Sequence, residues 1–404
     1  MAGPLAGFRV LDLSRILAGP WASQMLADLG AEVIKIERPG QGDDTRAWGP
    51  PYMPDESGEP TSEAAYFHAA NRGKKSVCID MASTRGQKII VQLVSNCDVL
   101  IENFKVGGLK KYGLDYDSLK AINPKLVYCS ITGFGQTGPY SERAGYDFMI
   151  QAMGGLMSVT GEADGEPMKV GVALADVMTG LYAANAIQAA LIHQLRSGKG
   201  QYIDLALLDV QVATLANQAM NYLASGNNPH RLGNAHPNIV PYQAFQTADG
   251  YIILAVGNDA QFARFCDLAG CGDLAADERF QKNSNRVKNR NALIPELIDV
   301  LKTRTTDCWL EQLNQKGIPC GPIANIDQVF DNPQVRHRGM RIELDHPTAG
   351  KLPSVANPIN LSQSPINYDK APPLLGQHTE QVLGELLELD AAQIDQLKSD
   401  GIIG

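Results

Sequence analysis

The chain has 404 residues, a net charge of −9 from 35 Lys and Arg against 44 Asp and Glu, and 44% hydrophobic residues. That length allows two or three domains with sizeable cores, and the acidic balance without a basic tract argues against a broad nucleic-acid-binding surface. Seven scattered cysteines with no CxxC argue against a disulfide framework and for buried thiols in a reducing, cytoplasmic setting; Cys266 and Cys271 have no close His to make a zinc site.

No basic stretch followed by an apolar one opens the chain, so no targeting peptide is expected. Residues 8–13 (FRVLDL) read as a buried strand, 21–30 as a helix and 31–37 as a second strand. Residues 75–80, 97–104 and 125–132 read as further strands, with a helix over 84–95. That alternation predicts a mostly parallel α/β sheet. Residues 39–62 are rich in Pro, Gly and Asp; a loop this long inside a domain is expected to cover a site, with Trp48 packed somewhere. Helices are expected at 177–196 and 207–224, separated by a strand at 200–207. From Val172 to Ile192 only Asp176 is charged, but the run is Ala- and Gly-rich and broken by Thr179, Asn185 and Gln188. It reads as a buried, close-packed helix and not a membrane span. Residues 242–257 read as a hairpin turning at Asp249–Gly250, followed by helices at 259–269, 291–303, 306–316 and 373–389. The expected domains are 1–224, a small domain at 225–325, and a return segment, 326–404, completing the first.

GFGQTG (133–138) fits GxGxxG after a strand, but Pro139 and Gly145 follow where a helix should open, and no acid-ended strand arrives about twenty residues on. A nicotinamide or flavin enzyme is therefore disfavoured. Asp176 reads locally as a helix N-cap; a cap carboxylate held ionised by the helix dipole and backbone donors can also act as a nucleophile in a dry pocket. Arg38 ends a strand at the edge that faces the ligand crevice of open α/β sheets, yet alone it reads as a surface Arg, and Lys110 and Lys111 are equally ambiguous. RAGYD (143–147) alone is a turn with a cap. The seven histidines show neither HxxxH nor HExxH, and no GxSxG occurs, so metal-dependent hydrolysis and α/β-hydrolase chemistry are not indicated.

Together, RVLDLSRILAGPWASQMLADLGAEVIKIERPGQGDDTR, ENFKVGGLKKYGLDYDSL, GFGQTGPYSERAGYDFMIQAMGGLMSVTG, GVALADVMTGLYAANAI and PPLLGQHT resemble the class III (CaiB/BaiF, formyl-CoA transferase-like) coenzyme A transferases over nearly the whole chain. GDDTRAWGPP and GNAHPNIVPYQAFQTADGYI resemble the succinyl-CoA:glutarate branch. The resemblance implies a Rossmann-like large domain with a smaller second α/β domain in an interlocked homodimer. Asp176 would be the catalytic aspartate. Leu17, Ala18, Arg38, Ile79, Asp80, Met81, Ala82, Asn103, Phe104, Lys105, Lys111, Arg143, Ala144, Gly145, Tyr146 and Asp147 would bind coenzyme A, which enters as a thioester substrate with no permanently bound cofactor, metal, nucleic acid or membrane. Leu17 stands where some relatives have Gln, and 255–262 holds only Gly257 where some members carry a run of glycines. The implied reaction passes CoA from a donor such as succinyl-CoA to a small dicarboxylate such as glutarate, through an aspartyl anhydride and an aspartyl-CoA thioester. Apolar Val172, Ala173, Leu174, Ala175 and Val177 are expected to keep water from Asp176. A second carboxylate on the acceptor needs a cationic partner, for which Arg15 and Arg46 are candidates. The alternative is an acyl-CoA racemase of the same fold; it needs an acid/base pair, and Tyr146 stands where relatives of that type have His.

Overall fold

The computed structural model describes residues 3–404. Contacts divide the chain into two compact units. One comprises residues up to Leu156, Val170–Ala219 and Pro333–Gly404; the other comprises Met157–Lys169 and Met220–Asn332.

The first unit is built on six parallel strands: β1 (Arg9–Asp12), β2 (Glu32–Glu37), β3 (Lys74–Cys78), β4 (Val99–Glu102), β5 (Val127–Thr132) and β6 (Tyr202–Ala206). Their spatial order is β3-β2-β1-β4-β5-β6. Neighbouring side chains on each strand serve opposite faces. Leu11, Ile34, Val77 and Leu100 pack on one side with helix α2 (Thr84–Val94) and the C-terminal helices α9 (Thr379–Leu387) and α10 (Ala391–Ser399). Val10, Val33, Val99 and Val127 pack on the other with α1 (Ala18–Asp28) and α4 (Leu174–Ser197). Burial on both faces is why most positions of the central strands are apolar, and why the charges among them, Asp12, Lys35, Glu37 and Lys74, are buried and paired.

The small residues of α4 permit close packing: a Cβ on Gly180 would crowd Trp21 and the carbonyl of Ala18 in α1. The expectation of an entirely buried helix fails on its far side, where Leu181, Tyr182, Ile192 and Leu195 are exposed. The helix expected over 207–224 is two, α5 (Leu207–Ala213) and a second over Ala216–Ser225, with Ala216 in the left-handed region (φ 47°) at the break.

In the second unit the 242–257 hairpin is present as β7 (Tyr242–Gln246) and β8 (Tyr251–Ala255), extended by β9 (Cys320–Pro322). Its core sets Phe245, Ile252 and Leu254 against α6 (Asp259–Ala269), α7 (Arg290–Leu301) and α8 (Thr306–Gln315).

Candidate active site

In an open parallel sheet, ligands bind beyond the carboxyl ends of the strands, where the chain's direction of progress across the sheet reverses. Here that point lies between β1 and β4: β1 leads outward to β2 and β3, and β4 to β5 and β6. A cleft of about 620 Å³ lies there. Its walls come from the segment after β1 (Arg15, Ile16, Leu17, Ala18), the segment after β4 (Asn103, Phe104, Lys105, Lys111), the end of β5 with Gly133, residues Arg143–Tyr146, and Asp176. Asp44 and Trp48 from the long 39–62 loop complete the wall. Four cations (Arg15, Lys105, Lys111, Arg143) face two carboxylates (Asp44, Asp176) in a chain whose net charge is −9, so the cleft is a local reversal of the overall field.

Local contacts orient these groups. Arg15 donates from Nη1 to Asp44 at 2.8 Å and lies over the Phe104 ring. Asn103 clamps the Arg15 backbone from both sides: Oδ1 accepts its N–H at 2.9 Å and Nδ2 donates to its carbonyl at 2.7 Å. The Arg143 guanidinium lies 4.6 Å from the Tyr140 ring centroid and 5.3 Å from that of Phe134. Gly133 and Gly145 meet backbone to backbone, so a Cβ on either would collide with the other. The glycines of GFGQTG and RAGYD thus bring two cleft walls together, and no helix follows the first motif to cradle a pyrophosphate.

Asp176 is not an N-cap. Its helix starts at Leu174, and the N-cap residue Ala173 supplies no side-chain bond. Asp147, the first residue of α3 (Asp147–Met153), caps α4 instead. Its Oδ1 accepts the N–H of Ala175 at 2.8 Å and of Asp176 at 3.4 Å, while Gln151 donates to its Oδ2 at 2.8 Å. The helix-start donors therefore do not act on the Asp176 carboxyl. The backbone donors are taken, and burial, helped by the neighbouring Asp147 carboxylate, pushes Asp176 up to about 7. Ala175 is buried and Ala173, Leu174 and Val177 are half-buried, but Val172 is 59% exposed and shields nothing within the chain.

Several expected site residues lie elsewhere. Arg46 is held away by its own partners: it donates to both oxygens of Glu37 at 2.7 and 2.8 Å and to the Pro373 carbonyl at 3.0 Å, and stacks on Phe67. Its remaining Nη1 lies 3.9 Å from Glu63, turned away from the cleft's lining residues. Arg38 is exposed at the end of β2, and Ile79–Ala82 follow β3; both are on the same sheet edge but outside the cleft lining. The C-terminus holds the latter, with Asp80 N–H bonded to Ile402 O at 2.8 Å and Ile79 bridged to Ile403.

One cluster with metal-ligand chemistry escaped the spacing rules because it is assembled across the chain: Glu63, His68 and His346. His346 Nδ1 accepts backbone N–H groups of Thr348 and Ala349 at 3.4 and 3.2 Å, which leaves the proton on Nε2, while His68 Nε2 faces Glu63 at 3.3 Å. A protonated Nε2 is not a ligand, so the donor set does not suit a metal ion.

Comparison with known proteins fixes the relationship. The model of "CoA-transferase family III" matches residues 5–379. The chain belongs to CoA-transferase family III. Like the other members it is a transferase enzyme acting on CoA thioesters. A succinate–glutarate CoA-transferase of Agrobacterium fabrum is 55% identical over 388 residues, 95% of this chain and 96% of that protein. The succinyl-CoA:glutarate CoA-transferase of Homo sapiens is 46% identical over 400 residues, 99% of this chain and 90% of that one. A CaiB/BaiF family protein from Brucella suis superposes with a TM-score of 0.84 at 55% identity, covering 96% of this chain and 100% of its own. These relatives disfavour the racemase alternative. No helix among the described residues is long and apolar enough to cross a membrane.

Proposed function

We propose that the enzyme passes coenzyme A from succinyl-CoA to a small dicarboxylate, with glutarate the first candidate, and that Asp176 carries the acyl group. The observation that carries this reading is the carboxyl of Asp176 in the cleft wall at the switch point, raised to about 7 and serving no cap of its own. A carboxylate of raised basicity is a better nucleophile, and near pH 7 a large fraction of it is ionised.

The Asp176 oxygen attacks the thioester carbonyl of the donor, giving a mixed anhydride and CoA thiolate. The thiolate attacks the aspartyl carbonyl, releases the donor acid and leaves an aspartyl-CoA thioester. The acceptor carboxylate displaces the thiolate to form a second anhydride. The thiolate then attacks the acceptor's acyl carbon, yielding the new thioester and free Asp176. Each step exchanges one activated acyl bond for another. We assign the phosphates of CoA to Lys111 and Arg143, as expected, with Lys105 of the cleft wall in place of the expected Arg38, which lies outside it; Leu17, Ala18, Asn103, Phe104, Ala144, Gly145 and Tyr146 are assigned to the rest of the CoA site. Arg38, Ile79–Ala82 and Asp147 are assigned to the outer end and support of that site. Arg15 is the remaining candidate for the acceptor's second carboxylate. Names of the relatives support the two substrates.

We assign residues 225–325 to a small domain between the two parts of a large one, and an interlocked homodimer in the cytoplasm. The exposed apolar side of α4, with Tyr146, Phe148 and Val172 exposed as well, supports a second copy as its cover. The seven free thiols support a reducing compartment.

Incubated with succinyl-CoA and no acceptor, the enzyme is expected to form an adduct that hydroxylamine captures and peptide mapping places on Asp176. Asp176→Asn is expected to lose transfer while still binding CoA. An adduct elsewhere, or an active Asp176→Asn enzyme, overturns the reading. Offering glutarate, oxalate and formate in turn, with the new thioester identified by mass, tests the acceptor.

A further inference from the structure

Ile16 lies in the cleft wall with φ 72°, in the left-handed region. That conformation is disfavoured for any side chain and most for a β-branched one, and strain of this kind persists only where surroundings impose it. A glycine would adopt it freely. The chain has isoleucine, so something outside the residue must hold the turn.

The holder is in plain view. The Ile16 N–H donates to both carboxylate oxygens of Asp43, at 3.2 and 3.3 Å. Asp43 is buried and fixed in turn. Its Oδ2 accepts from Lys35 Nζ at 2.9 Å, its Oδ1 accepts from the Thr45 N–H and hydroxyl, and its own N–H donates to Glu37. Lys35 is completely buried and donates a second bond, 2.9 Å, to the carbonyl of Ser14. One ammonium therefore grips the chain two residues before Ile16, and through Asp43 grips Ile16 itself. Asn103 clamps the peptide between them.

We propose that Asp43, locked by Lys35, is a positioning residue for CoA transfer: it holds Ile16 left-handed and so fixes the turn that presents Arg15, Leu17 and Ala18 to the cleft. This rests on the cleft being the transfer site. Asp43 touches no substrate; it acts through the backbone of residues 15–18. A purely structural role, capping the short helix Asp44–Ala47 and neutralising Lys35, would be indifferent to which residue stands at position 16.

The test compares the effect of Asp43→Ala in two backgrounds, the natural one and Ile16→Gly, by kcat/KM for transfer and by thermal melting. With isoleucine at 16 the loss is expected to be about tenfold or more; in the Ile16→Gly background it is expected to shrink to under about threefold, because glycine keeps the turn unaided. Since Asp43→Ala strands a buried ammonium, the charge-free pair Lys35→Met/Asp43→Ala is run in both backgrounds as well. Equal losses in the two backgrounds, or no loss in a folded variant, overturn the proposal. So does a charge-free pair that folds in neither background, since the role is then structural. Asp176→Asn run alongside separates the failures. If it is dead and glycine gives no rescue, only the Asp43 role falls; if it is active, the cleft assignment falls first.

Discussion

Two sets of buried carboxylates lie at the same sheet edge and titrate in opposite directions. Beneath the cleft, Asp12, Glu37 and Asp43 are faced by Lys35, Lys74 and Arg46, and all three are held below the usual carboxylate range, Asp43 at about 2. In the cleft wall Asp176 has no cation against it and has Asp147 nearby, and burial carries it to about 7; Glu102, at the end of β4, is raised to about 7 the same way. Burial is common to both sets, so the counter-charge decides the sign. A paired carboxylate is fixed structure. An unpaired one stays a stronger base, and its ionisation costs the fold.

The pH dependences oppose each other accordingly. Asp43, lowered from 3.8, stabilises the fold above about pH 4 and loses that contribution as pH falls through 2. Asp176, raised from 3.8, favours the fold while protonated and loses that advantage as pH rises through 7.

The contrast can be broken hardest on the paired side. Arg46→Ala leaves Glu37 buried without its bidentate partner and is expected to destabilise the protein by about 3–5 kcal/mol, read by denaturant or thermal melting. On the unpaired side the sign reverses. Asp176→Asn is expected to stabilise the fold at pH 8 by on the order of 2 kcal/mol, after allowance for partial exposure, with the gain gone at pH 4. Arg143→Ala, which removes a cation from the cleft without touching the buried pairs, is expected to weaken CoA binding by about 1–2 kcal/mol in calorimetry, and more at low salt than high. The finest probe is Asp147→Asn, which keeps an oxygen for the Ala175 N–H but removes the like charge. The acidic limb of kcat/KM, expected near pH 7 in the natural enzyme, should then move down. An unmoved limb would assign the whole displacement to burial.

Much of this was legible in the residues. All six parallel strands were readable as short segments rich in Val, Ile and Leu alternating with helical stretches, although β2 and β3 also carry the charges Lys35, Glu37 and Lys74. Their spatial order was not, since it depends on which crossover packs on which face. Asp176 stands out as the lone charge in its run, but the local pattern gives it the wrong part as a cap. The true cap comes from Asp147, 29 residues away, and no local pattern distinguishes a helix capped by its neighbour from one capped across a loop. Arg46 misled for a related reason: a cation in a loop advertises a ligand, whereas its partner Glu37 ends a strand that the sequence shows only as buried. Ile16 and Asp43 left no signal, because a left-handed isoleucine looks like any other.

Arg46 also ties the beginning of the chain to its end. Its bond to Pro373 spans 327 positions, and beside it His378 and Thr379 bond the backbone of β3 while Ile402 and Ile403 secure the segment after it. During translation at about 5–20 residues per second, the edge strand and the part of the sheet face covered by α9 and α10 wait roughly 15 to 65 s for their cover to emerge. Over that interval the nascent chain presents an unprotected strand edge and open aliphatic surface, the form most easily captured by aggregation or a chaperone. A premature stop between Asp176 and Pro373 would make the exposure permanent, although every residue assigned to the chemistry had already been made.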